Sequence, residues 1–217
     1  MFFLGHMAWA IVFGLTLAKL LKTKIIIPVL LLLAILPDFD LFIEETIGHH
    51  TLTHSIFFWI ILLSPFLIIY RQTFIPYFIG VIQHFAFGDF LIGRVMLFWP
   101  FTTSYFGLKI SMMSSLNISL EITGLFIAIG LLLYTGYLKQ LLSQQKRNIL
   151  MLLPLLAIII SMFFLTVDFQ ILPLVNQLWN SIPLNMPFIA ILLAHTTLAI
   201  ILLLSSIQGL RALIKKH

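Results

Sequence analysis

The chain of 217 residues has no cysteine, little charge and few acids. The lack of cysteine excludes disulfides and thiolate metal ligands. Charged residues make up 9% of the chain against 61% hydrophobic, and the mean hydropathy is +1.15. A soluble domain carries roughly 25% charged residues, so a water-soluble fold could not cover itself with this polar complement. The chain reads as an integral membrane protein. Its apolar runs are about 15–22 residues long, which suits helices rather than barrel strands. Helices also satisfy their own backbone hydrogen bonds, as a bilayer demands. We therefore expect an all-α fold, a polytopic transmembrane helical bundle of about six to seven spans, with residues 1–217 as one transmembrane domain. The net charge of +5 does not indicate nucleic acid, because the basic residues sit at helix ends, where topology explains them.

Expected spans run Phe2–Leu21, Ile25–Leu36, Ser55–Tyr70, Phe74–Phe90, Leu120–Leu138, Ile149–Val167 and Phe188–Ile207. The first lacks a basic leader and a small-residue cleavage site, so it is expected to be retained as a helix. The second is short: twelve residues give only about 18 Å of helix against a 30 Å hydrocarbon core. Pro37 is expected to stop it, since the residue before a proline avoids the helical region. The 93–118 stretch is rich in aromatics and suits the membrane interface, and 168–187 reads as loop or interfacial turn. No internal repeat or low-complexity tract is visible.

Orientation follows from Lys and Arg alone. With the N-terminus outside and seven alternating spans, Lys19, Lys22, Lys24, Arg71, Lys139, Lys146, Arg147, Arg211, Lys215 and Lys216 are cytoplasmic. Only Arg94 and Lys109 are then outside, a strong positive-inside bias. This puts residues 37–54, His6, His84, Asp89 and Glu121 on the extracytoplasmic side of a plasma (inner) membrane.

The scarce ionisable groups are not scattered. LPDFDLFIEETIGHHTLTHS holds Asp38, Asp40, Glu44, Glu45, His49, His50 and His54 between apolar segments. If the segment is extended, Asp38 and Asp40 point the same way, and two such carboxylates repel unless a cation neutralises them. Thr53 is a good N-cap for the next helix, which would place His54 in its first turn. Ionisable groups within spans default to function, and this draws in His84 and Asp89. A spacing of five leaves those two about 140° apart on a regular helix, unless a π-bulge or unwinding at Gly88 realigns them. His6 and Glu121 join by lying on the same face. Nitrogen and oxygen ligands without sulfur suit a divalent metal, zinc first, with manganese or iron as alternatives. The competing reading is a solvated polar loop with a capping acid and a hydrogen-bonded histidine. His195 is expected to pack or hydrogen-bond, and Glu44, Glu45 and Asp168 to be ordinary surface acids.

Gly5-His6, Leu36-Pro37-Asp38-x-Asp40, Gly48-His49-x-x-x-Thr53-His54-Ser55, His84 with Asp89, Trp99-Pro100-Phe101 and Glu121 resemble the YdjM-like family of predicted inner-membrane metal-dependent hydrolases. The likeness covers about residues 1–125, leaving 126–217 as additional membrane helices. That family looks distantly similar to the zinc phospholipase C and P1 nuclease group. The resemblance implies His6, Asp38, Asp40, His49, His54, His84 and Asp89 as metal-site residues. Two departures stand out. His49-His50-Thr51 replaces a His-Arg-Gly pattern, and His84 and Asp89 are five apart rather than four.

These readings lead to an expected function. It is a membrane-bound metal-dependent hydrolase acting on a phosphoester in a lipid or lipid-linked substrate at the outer face. Asp38, Asp40 or Asp89 would be its proton acceptor, and Arg94 and Lys109 could hold the phosphate. The alternatives are a metal-ion transporter, whose site would lie near the bilayer midplane with a polar path onward, and a non-catalytic binding protein.

Overall fold

The computed structural model describes residues 1–42, 51–168 and 186–215. Among them the order is α1 (Phe3–Leu20), α2 (Ile27–Ile35), a 3-10 segment (Leu36–Phe42), a 3-10 turn (Leu52–His54), α3 (Ile56–Tyr70) and α4 (Ile75–Gln83). A π turn (His84–Asp89) and a last helical turn (Phe90–Ile92) extend α4. Then come α5 (Ser115–Tyr134), α6 (Tyr137–Leu141), a 3-10 turn (Lys146–Met151), α7 (Leu152–Asp168) and α8 (Met186–Ile214). No strand forms among the described residues. Six helices there are long and apolar enough to cross a membrane, in keeping with the expected polytopic bundle.

The short second span is explained by where its backbone goes. Pro28 lies in the first turn of α2, where its missing N–H costs nothing. The N–H groups of Ile25 and Ile26 donate to the hydroxyls of Tyr137 and Tyr77 at 3.1 and 2.6 Å. α2 ends at Ile35, and the chain continues through Pro37 as a tight 3-10 segment rather than the expected extended strand. Nine α residues and seven 3-10 residues advance roughly 27 Å together, close to the hydrocarbon thickness. The pair is long enough for one broken crossing. Non-helical backbone at this depth is tolerated only inside protein, and α2 is indeed enclosed by α1 and α4. Leu30 is fully buried between Gly14 and Gly80; a Cβ on either glycine would come within 2.7 Å of its side chain.

Other boundaries shift for local reasons. α5 starts at Ser115, ahead of the expected Leu120, because Ser114 caps it and its hydroxyl accepts from the Asn117 N–H at 3.2 Å. Ser55, not Thr53, is the N-cap residue of α3; Thr53 turns its hydroxyl elsewhere. α8 extends beyond the expected Ile207 to Ile214. The 93–114 loop is pinned by paired Val95 and Phe106 backbone hydrogen bonds, each 2.9 Å. It crosses the start of α3, where the Ile56 N–H donates to the Leu97 carbonyl at 3.0 Å and the Ser55 hydroxyl to the Trp99 carbonyl at 2.5 Å. The loop therefore sits beside His54. Expectations for 43–50 and for most of the 168–187 stretch lie outside the described residues.

If α2 and its 3-10 extension cross together, Lys22 and Thr103 lie on opposite sides of the membrane. Both positions are exposed, and the absence of native cysteine makes single-cysteine labelling clean. We expect Thr103→Cys to react with an impermeant thiol reagent in intact cells, and Lys22→Cys only after permeabilisation. Labelling of both from one side would mean that α2 turns back.

Candidate metal centre

The centre is assembled from three elements. Asp38 comes from the 3-10 segment, His54 from the turn before α3, and His84 and Asp89 from the π turn. Each offers one ligand-type atom, and the four atoms lie within 4.8 Å of one another. His84 Nε2 is 3.1 Å from Asp38 Oδ1 and 3.1 Å from Asp89 Oδ2. His54 Nε2 is 3.2 Å from Asp89 Oδ2 and 3.6 Å from Asp38 Oδ1. All four residues are buried or nearly so.

The π turn is what makes this possible. A π-helix closes i to i+5 hydrogen bonds, and the Phe90 N–H reaches the Phe85 carbonyl here. The wider turn places residues five apart on one face, so His84 and Asp89 meet. Gly88, inside the turn, is also the point where His6 approaches. A Cβ at that position would lie 2.7 Å from His6 Nδ1.

The remaining imidazole atoms are committed by a second layer. His84 Nδ1 donates to the Ala34 carbonyl at 2.6 Å. A carbonyl only accepts, so this bond fixes the tautomer and leaves Nε2 facing the carboxylates. His54 Nδ1 lies 3.2 Å from Asp40 Oδ2, which also accepts from the Thr53 hydroxyl at 2.5 Å. Asp38 and Asp40 therefore do not face one way. Two residues along a 3-10 helix stand about 120° apart; Asp38 enters the centre while Asp40 sits behind His54.

Two imidazole nitrogens aimed at acceptor-only carboxylate oxygens need a cation between them, either a proton or a metal. The donor set suits zinc, manganese or iron. Ligand atoms on a zinc tetrahedron with 2.0–2.1 Å bonds stand about 3.3 Å apart, and the four close separations of 3.1–3.6 Å bracket that value. The residues thus fit a bound divalent cation.

A sequence model of the family described as YdjM inner membrane protein matches residues 1–172. The chain belongs to the YdjM inner membrane protein family. The match runs beyond the 1–125 region carrying the motifs and takes in all of α5, α6 and α7. The family is one of inner membrane proteins. No curated protein and no solved structure matches the chain, and the likeness to the zinc phospholipase C and P1 nuclease group has no support from these comparisons.

Around the YdjM-family centre the other candidates fall into distinct places. His6 stacks on His84 with ring centroids 3.7 Å apart, and its Nε2 is 3.2 Å from the second oxygen of Asp89, Oδ1. The Met1 amino group is 3.4 Å from that same oxygen. Glu121 is not brought into the group of four. Its Oε1 accepts from the Phe2 N–H at 2.8 Å and from Asn117 Nδ2 at 3.0 Å, so it serves the N-terminal end of α1, the helix that carries His6. His49 and His50, with Glu44 and Glu45, lie outside the described residues. His195 is buried; its Nδ1 bonds the Ile191 carbonyl at 2.8 Å and its Nε2 meets the Ser161 hydroxyl at 3.1 Å. Sequence reasoning missed the Ala34 carbonyl and the bond from Thr53 to Asp40. A carbonyl leaves no signal in residue type, whereas Thr53 beside His54 was visible but read as a cap.

Burial pushes the His54 imidazole toward neutrality, but hydrogen bonding to Asp38, Asp40 and Asp89 outweighs it and holds the pKa well above its ordinary value. A raised folded-state pKa stabilises the metal-free protein fully below about pH 6.5. That stabilisation fades as pH climbs through the raised value. A metal must displace the same proton. We expect the zinc-induced rise in Tm to grow with pH, and zinc uptake in weak buffer to release protons. A rise in Tm that shrinks with pH would contradict the assignment of His54 as a ligand. Asp40→Asn should lower metal affinity by about 10–100-fold, the usual effect of an outer-layer partner; Asp38→Asn and Asp89→Asn should cost more by isothermal titration.

Proposed function

We propose that the protein is a membrane-bound metal-dependent hydrolase that cleaves a phosphoester in a lipid or lipid-linked substrate at the outer face of the inner membrane. The observation that carries this reading is the convergence of Asp38, His54, His84 and Asp89 in a buried group whose histidine tautomers are fixed from behind. A bound divalent cation would supply Lewis acidity and make water a nucleophile near neutral pH. Asp40 and the Ala34 carbonyl hold the two imidazoles in register. Asp38 and Asp89 are the carboxylates placed to accept a proton from water at the centre; Asp40 is already engaged by Thr53 and His54. The adjoining 93–114 loop exposes Phe101, Tyr105 and Leu108, a surface suited to lipid at headgroup depth. Arg94 and Lys109, both exposed on it, are the candidates for holding phosphate.

The transporter reading needs a polar route from the centre to the far side. Inward of the centre, α1, α2 and α4 close on Leu30, Leu31, Ile11 and Val81, all at most 3% exposed. That apolar plug favours chemistry in place over passage.

In vesicles carrying the purified protein, we expect release of a soluble phosphate-containing headgroup or inorganic phosphate. Chelator should abolish it, and His54→Ala or Asp38→Ala should reduce it by several orders of magnitude while the protein still inserts. Metal uptake into the lumen with intact lipid would instead support the transporter.

A further inference from the structure

A second polar site lies at the opposite end of α1. Lys19 follows His6 by thirteen residues, about 20 Å along the helix. There α1, the turn after it and the α5–α6 junction line an open cavity of about 340 Å³, formed by Lys19, Thr23, Tyr134, Thr135 and Tyr137 over Leu15 and Ala18. Its chemistry is one-sided. The Lys19 ammonium donates to the Tyr134 hydroxyl at 2.9 Å and lies 4.2 Å from the ring centre. The Thr23 hydroxyl oxygen is buried with no hydrogen-bond partner among the described residues. The Tyr137 hydroxyl accepts from the Ile25 N–H, which leaves its own proton to donate. Among the described residues, no carboxylate lines the cavity. The site therefore offers a cation and hydroxyl donors with no anion of its own to receive them.

We propose that this cavity binds a phosphate group, and that its source is a phospholipid headgroup. An anion with several acceptor oxygens can take the Lys19 ammonium and the Thr23 and Tyr137 hydroxyls together, in charge-assisted hydrogen bonds. The mouth supports a lipid source. Leu20 is 72% exposed, Leu133 61% and Tyr134 73%, so apolar surface for acyl chains flanks the polar pocket. Lys22 and Lys24, exposed on the same turn, add the positive potential that draws anionic lipid to a membrane surface. The site is separate from the metal centre and does not depend on the activity proposed for it.

Phosphatidylglycerol titrated into the detergent-solubilised full chain, with bound lipid read by native mass spectrometry, tests this. We expect Lys19→Gln to weaken binding about 10-fold and Thr23→Val about 3-fold, with Thr23→Ser near wild type, as for loss of charged and neutral hydrogen-bond donors. Lys22→Gln removes the same charge outside the cavity and should change binding less than 2-fold. Diacylglycerol, which lacks the phosphate, should not bind. Displacement of the lipid by millimolar inorganic phosphate would keep the phosphate site but assign it to the free ion. Equal binding to wild type and Lys19→Gln, an equal loss in Lys22→Gln, or equal binding of diacylglycerol would each overturn the proposal. Thermal unfolding of each variant separates lost binding from lost fold.

Discussion

A carboxylate carried into a bilayer on a spanning helix is costly unless it meets compensating charge and hydrogen bonds. Asp89 is placed to meet them on both oxygens. One faces His54 and His84; the other faces His6 and the Met1 amino group. Every element bearing these groups must then end at the same depth. α1 brings His6, the broken crossing brings Asp38, the lead into α3 brings His54, and the π turn presents Asp89 itself.

The irregular segments of the fold are the ones that serve this requirement. Regular helix would separate His84 from Asp89, and the π turn removes that separation. Regular helix beyond Ile35 would carry Asp38 and Asp40 on a different pitch. The 3-10 segment sends one to the centre and the other to brace His54. Gly88 keeps the space that His6 needs, just as Gly14 and Gly80 keep the space for Leu30. Around these points the apolar helices pack in the ordinary way and seal the centre from the opposite face, where the positive end of the bundle offers separate chemistry at Lys19.

Much of this was legible from residue type and spacing. The shortage of charge pointed to a bundle, and the gathering of scarce acids and histidines pointed to a wider set, His6, Asp38, Asp40, His49, His54, His84, Asp89 and Glu121, of which Asp38, His54, His84 and Asp89 meet. The five-residue interval even posed the question that the π turn answers. What could not be read was backbone geometry. An Asp-x-Asp pair faces one way in a strand and two ways in a 3-10 helix, and the residue types of Leu36–Phe42 do not distinguish the two before the enclosing helices act. Glu121 shared a face with the centre, but its partner is the Phe2 N–H of α1, a contact set by helix packing. Thr53 was read as a cap because its role depends on Asp40, which lies thirteen residues away.

The central claim is that buried imidazoles and carboxylates, held in fixed tautomers, form one cation-binding centre. X-ray absorption at the zinc edge on the zinc-loaded, detergent-solubilised chain tests it most directly. The account predicts nitrogen and oxygen neighbours at about 2.0–2.2 Å, with the multiple-scattering signature of at least two imidazoles that drops by one in His84→Ala. A shell of water oxygens without imidazole scattering, unchanged in that variant, would contradict it.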